Sequence, residues 1–211
     1  MIDNGTGFTK LGYAGNKEPN FVIPTCVADV PDRATAPISN QSFNQLDFYI
    51  GEEAQKKSKT HNLVYPMASG EVQNWDIMEK LWHRCIYDYL RCEAREHVIM
   101  LTEPPMNPPQ NRESMAEIMF ETFGFEGLHI GVQATLALYS AWYNSENPVQ
   151  KSMGLTGTVV DSGDGVTHII PMVGPCLTPG GWVCHRKLYQ ACASCRQRHH
   201  QIHQGRPHRE R

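Results

Sequence analysis

Between Asp164 and Glu210 the chain has no acidic residue. Residues 1–173 carry 12 Lys and Arg against 21 Asp and Glu, whereas residues 174–211 carry 7 against 1, with five of the ten histidines. The net charge of −3 hides this split. So abrupt a shift marks a boundary near residue 173 and excludes one uniform domain. Also absent is any run near the roughly 18 apolar residues of a membrane helix, so no span is expected. No secretory signal is read at the start, because Met1-Ile2 leads straight into Asp3-Asn4-Gly5. Of the seven cysteines, Cys26, Cys85 and Cys92 lie in apolar segments, as the buried thiols of a cytosolic protein do. The last stretch is poor in large apolar residues: after Leu188 only Tyr189 and Ile202 remain.

What is present is a chain of 211 residues, 40% apolar, with material for one large domain or two small ones. "FTKLGYAG" and "NFVIPTCV" read as strand, turn, strand. Residues 28–70, rich in Pro, Ser, Asn and Lys around the ordered patch "LDFYIGEEA", read as a small inserted lobe with mobile loops. Asn74 is the natural cap of a helix with Asp76 in its first turn and Met78, Leu81, Trp82, Cys85, Ile86 and Tyr89 on one face. "HVIMLTEP" reads as a continuously buried parallel strand. The run Pro104 to Pro109 reads as a rigid, non-helical connector into a helix from about Asn111, with Met115, Ile118, Met119 and Thr122 on one face. "GLHIGV" adds a strand, "QATLALYSAWY" a helix, and a second hairpin starts near Thr156. The alternation argues an α/β fold with a mixed sheet and flanking helices.

The chemistry concentrates in two glycine-bearing hairpins, "MIDNGTGFTKLGYAG" and "VVDSGDGVTHIIP". A turn with glycines can aim consecutive backbone N–H groups at one point and so cradle an anion. In the first, Gly5 and Gly7 permit the turn, Thr6 adds a hydroxyl, Lys10 offers a point charge for phosphate, and Asp3 suits the water shell of Mg²⁺. The second repeats the logic with Asp161, Ser162, Gly163, Asp164 and Gly165. Two such turns face to face would clamp a polyphosphate and its metal. Either alone is an ordinary hairpin connector, and it is their joint occurrence after short apolar runs that favours a site.

"DNGTGFTKLGYAG", "LTEPPMNPPQNRESMAEIMFE", "VQATLALYSAW" and "LTGTVVDSGDGVTHIIP" resemble the actin family in order and spacing, from about Ile2 to Met172. "TKLGYAGNKEPNFVIP" and "LDFYIGEEA" lean toward its actin-related proteins. The resemblance implies an actin-like, ribonuclease-H-like α/β ATPase lobe binding ATP with Mg²⁺. It assigns Gly5, Thr6, Gly7 and Lys10 to one phosphate loop and Ser162, Gly163, Asp164, Gly165 and Val166 to the other. Asp3 and Asp161 are assigned to the metal, and Gln133 and His168, with Asp161, to the hydrolytic centre. Without the resemblance, Gln133 reads equally as a structural hydrogen-bonder and His168 as an ordinary partner.

The resemblance is expected to fade at Met172-Val173. The organisation expected is a first lobe over 1–155 with a small insert over about 28–70, the first hairpin of a second lobe over 156–172, and a basic, disordered tail over 173–211. With the second lobe largely missing from the sequence, Mg-ATP binding is expected to be weak and hydrolysis unmeasurable. Within the tail, Cys192 and Cys195 followed by His199, His200 and His203 form a zinc-ligand pattern, but one without a core to fold around it. A nucleic-acid tail lacks aromatic interleaving, and none is expected. A shifted reading frame also explains the crowding of Arg, His, Cys, Pro and Gln.

For function, the resemblance implies a cytoplasmic, cytoskeletal, ATP-binding subunit of the complex that nucleates and branches actin filaments. Its partners would be actin, actin-related protein 2 and the other subunits of that complex. Nucleotide would act there mainly as a conformational ligand and the chain at most as a weak ATPase. A truncated, non-nucleating product is one alternative. A sugar-kinase or chaperone-type ATPase is another, opposed by "LTEPPMNPPQNR" and by the lack of a sugar-site pattern.

Overall fold

The computed structural model describes residues 1–29, 48–147 and 154–172. The chain opens with β1 (Ile2–Asn4), β2 (Phe8–Leu11) and β3 (Phe21–Pro24), an antiparallel meander. β4 (Val27–Asp29), β5 (Phe48–Ile50), α1 (Gly51–Lys56) and β6 (Asn62–Val64) follow, then β7 (Met67–Ala68) and β8 (Glu71–Val72) as a short hairpin. The remainder comprises α2 (Trp75–Arg84), β9 (Val98–Glu103), α3 (Pro109–Glu117), β10 (Gly127–Val132), α4 (Gln133–Asn144), β11 (Gly157–Ser162) and β12 (Thr167–Met172).

The main sheet has the order β10-β9-β1-β2-β3. β10, β9 and β1 run parallel, with Ile2 opposite Leu101, and the β1-β2-β3 side is antiparallel. One face alternates inward with Ile2, Leu11, Ile23, Ile99 and Leu101, all buried. Against them pack Ile77, Met78, Leu81 and Trp82 of α2 and Met115 of α3 in one apolar cluster. α2 starts where its sequence dictates: the Asn74 side chain accepts from the N–H of Ile77 at 3.0 Å. Beyond Arg84 it widens into a π-helical turn over Cys85–Leu90, which ends on Arg91 in the left-handed region, φ 52°. Cys26, Cys85 and Cys92 are free thiols and buried; burial pushes Cys26 up to about 11 and Cys85 up to about 12, so both stay protonated near neutral pH.

A second, smaller sheet, β5-β4-β6, carries its own cluster of Cys26, Ala28 and Ala54 beside α1. It is fastened to α2 by Lys80 on Asp29 and by Arg84, which donates to the Phe48 carbonyl at 3.1 Å and stacks over its ring. Asp29 and Phe48 are cross-strand partners.

Two local readings are corrected. Pro109 is not connector but the first residue of α3, because a helix's first N–H has no intrahelical acceptor and proline loses nothing there. β9 is not continuously buried: Ile99, Leu101 and Glu103 face in, whereas Val98 is 66% exposed. Residues 30–47 of the expected insert, and the expected tail over 173–211 with its Cys/His pattern, lie outside the described residues.

Candidate functional site

β1 and β2 are joined by Gly5-Thr6-Gly7, and β11 and β12 by Gly163 to Val166. Each turn is closed by one backbone bond, Gly5 N–H to the Phe8 carbonyl at 3.1 Å and Gly163 N–H to the Val166 carbonyl at 3.0 Å. The two turns meet. A β-carbon on Gly165 would stand 2.6 Å from Thr6 Oγ1, and one on Gly7 would stand 2.9 Å from the Asp164 β-carbon. Only glycine fits at either position, because side-chain carbons never approach that closely. A third element joins them: Gly70, between β7 and β8, donates its N–H to Thr6 Oγ1 at 2.9 Å.

Between the turns lies a cavity of about 440 Å³. Of the sequence-predicted site residues, Asp3, Gly5, Thr6, Gly7, Lys10, Gln133, Asp161, Gly163, Asp164, Gly165, Val166 and His168 all border it. Ser162 does not. It follows Asp161 on β11, side chains alternate along a strand, and its hydroxyl pairs instead with Thr167 Oγ1 at 3.0 Å. Among the described residues, no acceptor takes the N–H groups of Thr6, Gly7, Phe8, Asp164, Gly165 or Val166. Six open donors on two facing turns have the chemistry to cradle an anion.

Behind the cradle sits a polar network centred on Asp3. Lys10 Nζ donates to Asp3 Oδ2 at 2.8 Å. Thr102 Oγ1 and Gln133 Nε2, the latter at 3.1 Å, donate to Oδ1. Burial alone would raise the Asp3 carboxyl; the hydrogen bond from Lys10, that from Thr102, the Lys10 charge and the Gln133 amide outweigh it and hold the group below its ordinary value. Asp3 is thus a carboxylate with its own oxygens engaged. Asp161 is set opposite His168 across β11 and β12. Both ring nitrogens of His168 are buried without a protein partner, at the wall of the cavity. Buried imidazole nitrogens are costly to leave unpaired, so these two are groups that call for a polar partner. Gln133 opens α4 and spends its amide N–H on Asp3, Thr102 and the Asn4 carbonyl, which leaves Oε1 as its acceptor.

A family model described as "Actin" matches residues 1–179. The chain belongs to the actin family. The match runs past Met172-Val173, where the resemblance was expected to fade, and ends six residues beyond Val173. The chain is similar to Actin-related protein 3 of Dictyostelium discoideum, 52% identical over 174 residues that cover 82% of this chain and 41% of that protein. It is 51% identical over 182 residues to Actin-related protein 3 of Acanthamoeba castellanii, 82% of this chain and 42% of that one. With the Caenorhabditis elegans protein of the same name the figures are 49% over 192 residues, 84% and 44%. The chain therefore spans about two fifths of the length of these curated relatives. The mixed sheet with flanking helices is the α/β architecture of an actin-like lobe.

Several residues around this cavity were not legible in the sequence. Thr25, Thr102, Gly70 and Trp82 all hydrogen-bond to its lining residues from distant positions. Thr25 and Thr102 share one signal, a hydroxyl inside an apolar segment, which is too common to single them out; Gly70 and Trp82 carry none.

Proposed function

We propose that this chain is the nucleotide-binding part of an actin-related-protein-3-type subunit, acting in actin filament nucleation and branching in the cytoskeleton of the cytoplasm. Actin, actin-related protein 2 and the other subunits of its complex would be its partners. The observation that carries the reading is the pair of interlocked glycine turns with open N–H groups around one cavity.

The donors suit ATP with Mg²⁺. Thr6, Gly7, Asp164, Gly165 and Val166 would take phosphate oxygens through backbone N–H groups, and Lys10 would add a charge. Mg²⁺ keeps most of its waters and needs only one or two carboxylates beside phosphate, which Asp3 and Asp161 can serve through those waters. Bound there, the metal would neutralise phosphate charge. Gln133 Oε1 and the His168 nitrogens would hold water at the cavity wall. Among the described residues, no group of three or more His, Cys, Asp and Glu could hold a metal without such a guest. No helix among them is long and apolar enough to cross a membrane.

Two measurements test the halves of this reading. Calorimetry on the 211-residue chain should show saturable binding of Mg-ATP at submillimolar concentration, reduced by Lys10→Ala; no heat up to about 1 mM overturns the nucleotide assignment. Co-expression with actin-related protein 2 and the remaining subunits should give a co-purifying assembly; recovery of the chain alone overturns the partner assignment.

A further inference from the structure

Thr25 lies just after β3, fully buried and outside the cavity wall, yet it holds two of the three carbonyls of the first turn, those of Gly5 and Gly7. Its hydroxyl donates to the Gly5 carbonyl at 2.8 Å and its N–H donates to the Gly7 carbonyl at 2.9 Å. Thr9, equally buried, stands 2.9 Å from the Thr25 hydroxyl. Since the Thr25 proton goes to Gly5, Thr9 is the donor in that pair, and the Thr25 hydroxyl is satisfied both as donor and as acceptor.

In a planar trans peptide the C=O and the following N–H point in opposite directions. Drawing the Gly5 carbonyl down onto Thr25 therefore aims the Thr6 N–H away from it. Drawing the Gly7 carbonyl down aims the Phe8 N–H the same way. Thr6 and Phe8 border the cavity, and Thr25 lies beneath. A second bond fixes the entry to the turn: buried Trp82 donates from its indole N–H to Asn4 Oδ1 at 3.1 Å.

We propose that Thr25, backed by Thr9, is the positioning residue of the phosphate cradle: it sets the direction of the Thr6 and Phe8 N–H groups before any anion arrives. It makes no contact with the guest itself. The effect is one of preorganisation, since a turn free to rotate its peptides must be ordered on binding. The inference rests on the anion-cradle reading above, and the experiment separates the two.

The probe is inorganic tripolyphosphate with Mg²⁺, titrated calorimetrically into the full chain and into Thr25→Val and Thr25→Ser. Val keeps the shape and loses the hydroxyl; Ser keeps the hydroxyl. Thr25→Val is expected to bind about tenfold more weakly, the worth of one neutral hydrogen bond, and Thr25→Ser within about twofold of the unmodified chain. Equal binding by Thr25→Val, or equal loss in Thr25→Ser, overturns the positioning role while leaving the cradle intact. No binding by the unmodified chain overturns both. Should Thr25→Val fail to fold, amide spectra of the unmodified ¹⁵N-labelled chain decide instead. The Thr6 and Phe8 resonances should move most as tripolyphosphate is added, and their standing still while others in the turn move would sink the proposal.

Discussion

The contact between Gly165 and Thr6 makes a sharp comparison within one turn. Gly165→Ala inserts a carbon into a 2.6 Å gap and should cost about 1–3 kcal/mol by overpacking while forcing the turns apart. Gly163→Ala meets nothing nearer than 3.7 Å and should be close to neutral. Urea melts of the two variants check this, and equal effects would show that the turns do not touch. Asp3 offers a pH signature. Its carboxyl is held below its ordinary value, so the stability it contributes is fully present above the unfolded-state value near 4 and is lost as pH falls through the lower, folded value. Unmodified and Asp3→Asn chains should therefore differ most near neutrality and converge in acid, in melts across about pH 3–7. A gap that widens in acid would reverse the sign. The glycines and Asp3 were legible in the sequence because a turn's needs are local. Thr25 and Trp82 were not, because their partners lie 20 and 78 positions away and no spacing rule connects them.

At the scale of elements, α2 was legible from its cap and its apolar face, and Asn74→Ala should cost about 0.5–2 kcal/mol through the lost bond to Ile77. The connector before α3 was misread at Pro109 because a proline run looks the same whether it precedes a helix or begins one. What stiffens that connector is not proline alone. Glu103, 1% exposed at the end of β9, accepts from Arg112 of α3, with Arg112 Nε at 2.8 Å, and from Asn107 at 3.1 Å. Asn111 in turn donates to Asn107 at 2.9 Å. Arg112→Ala leaves a buried carboxylate without its cation and should destabilise by about 3 kcal/mol in chemical denaturation. A loss under about 1 kcal/mol would mean that Asn107 suffices as partner.

For the whole molecule, the arrangement predicts uneven stability. β11 and β12 form a two-stranded sheet of their own, joined to the rest through α4 and the facing turns, and such ribbons are marginal alone. Hydrogen exchange should therefore be slow in β9 and β1 and much faster across 157–172. Mg-tripolyphosphate, bridging both turns, should slow exchange in 157–172 selectively. Uniform protection with and without it would show that the hairpin is braced by something other than the turn contacts. The α/β class was legible from the alternation of strands and helices. The sheet order was not, because parallel pairing is settled by distant chain segments and not by any local pattern.

That order has a consequence for synthesis on the ribosome. β1 sits in the middle of the sheet, yet its parallel neighbour β9 comes roughly 100 residues later, Leu101 pairing with Ile2. The β1-β2-β3 meander can close on itself as soon as it emerges. Its other edge must wait for β9, an interval of about 5–20 s at ordinary translation rates. For that time the nascent chain displays an open strand edge beside Ile2 and Leu11, both destined for the core. The segment proposed to hold an anion is thus also one that a chaperone would shield while the protein is being made.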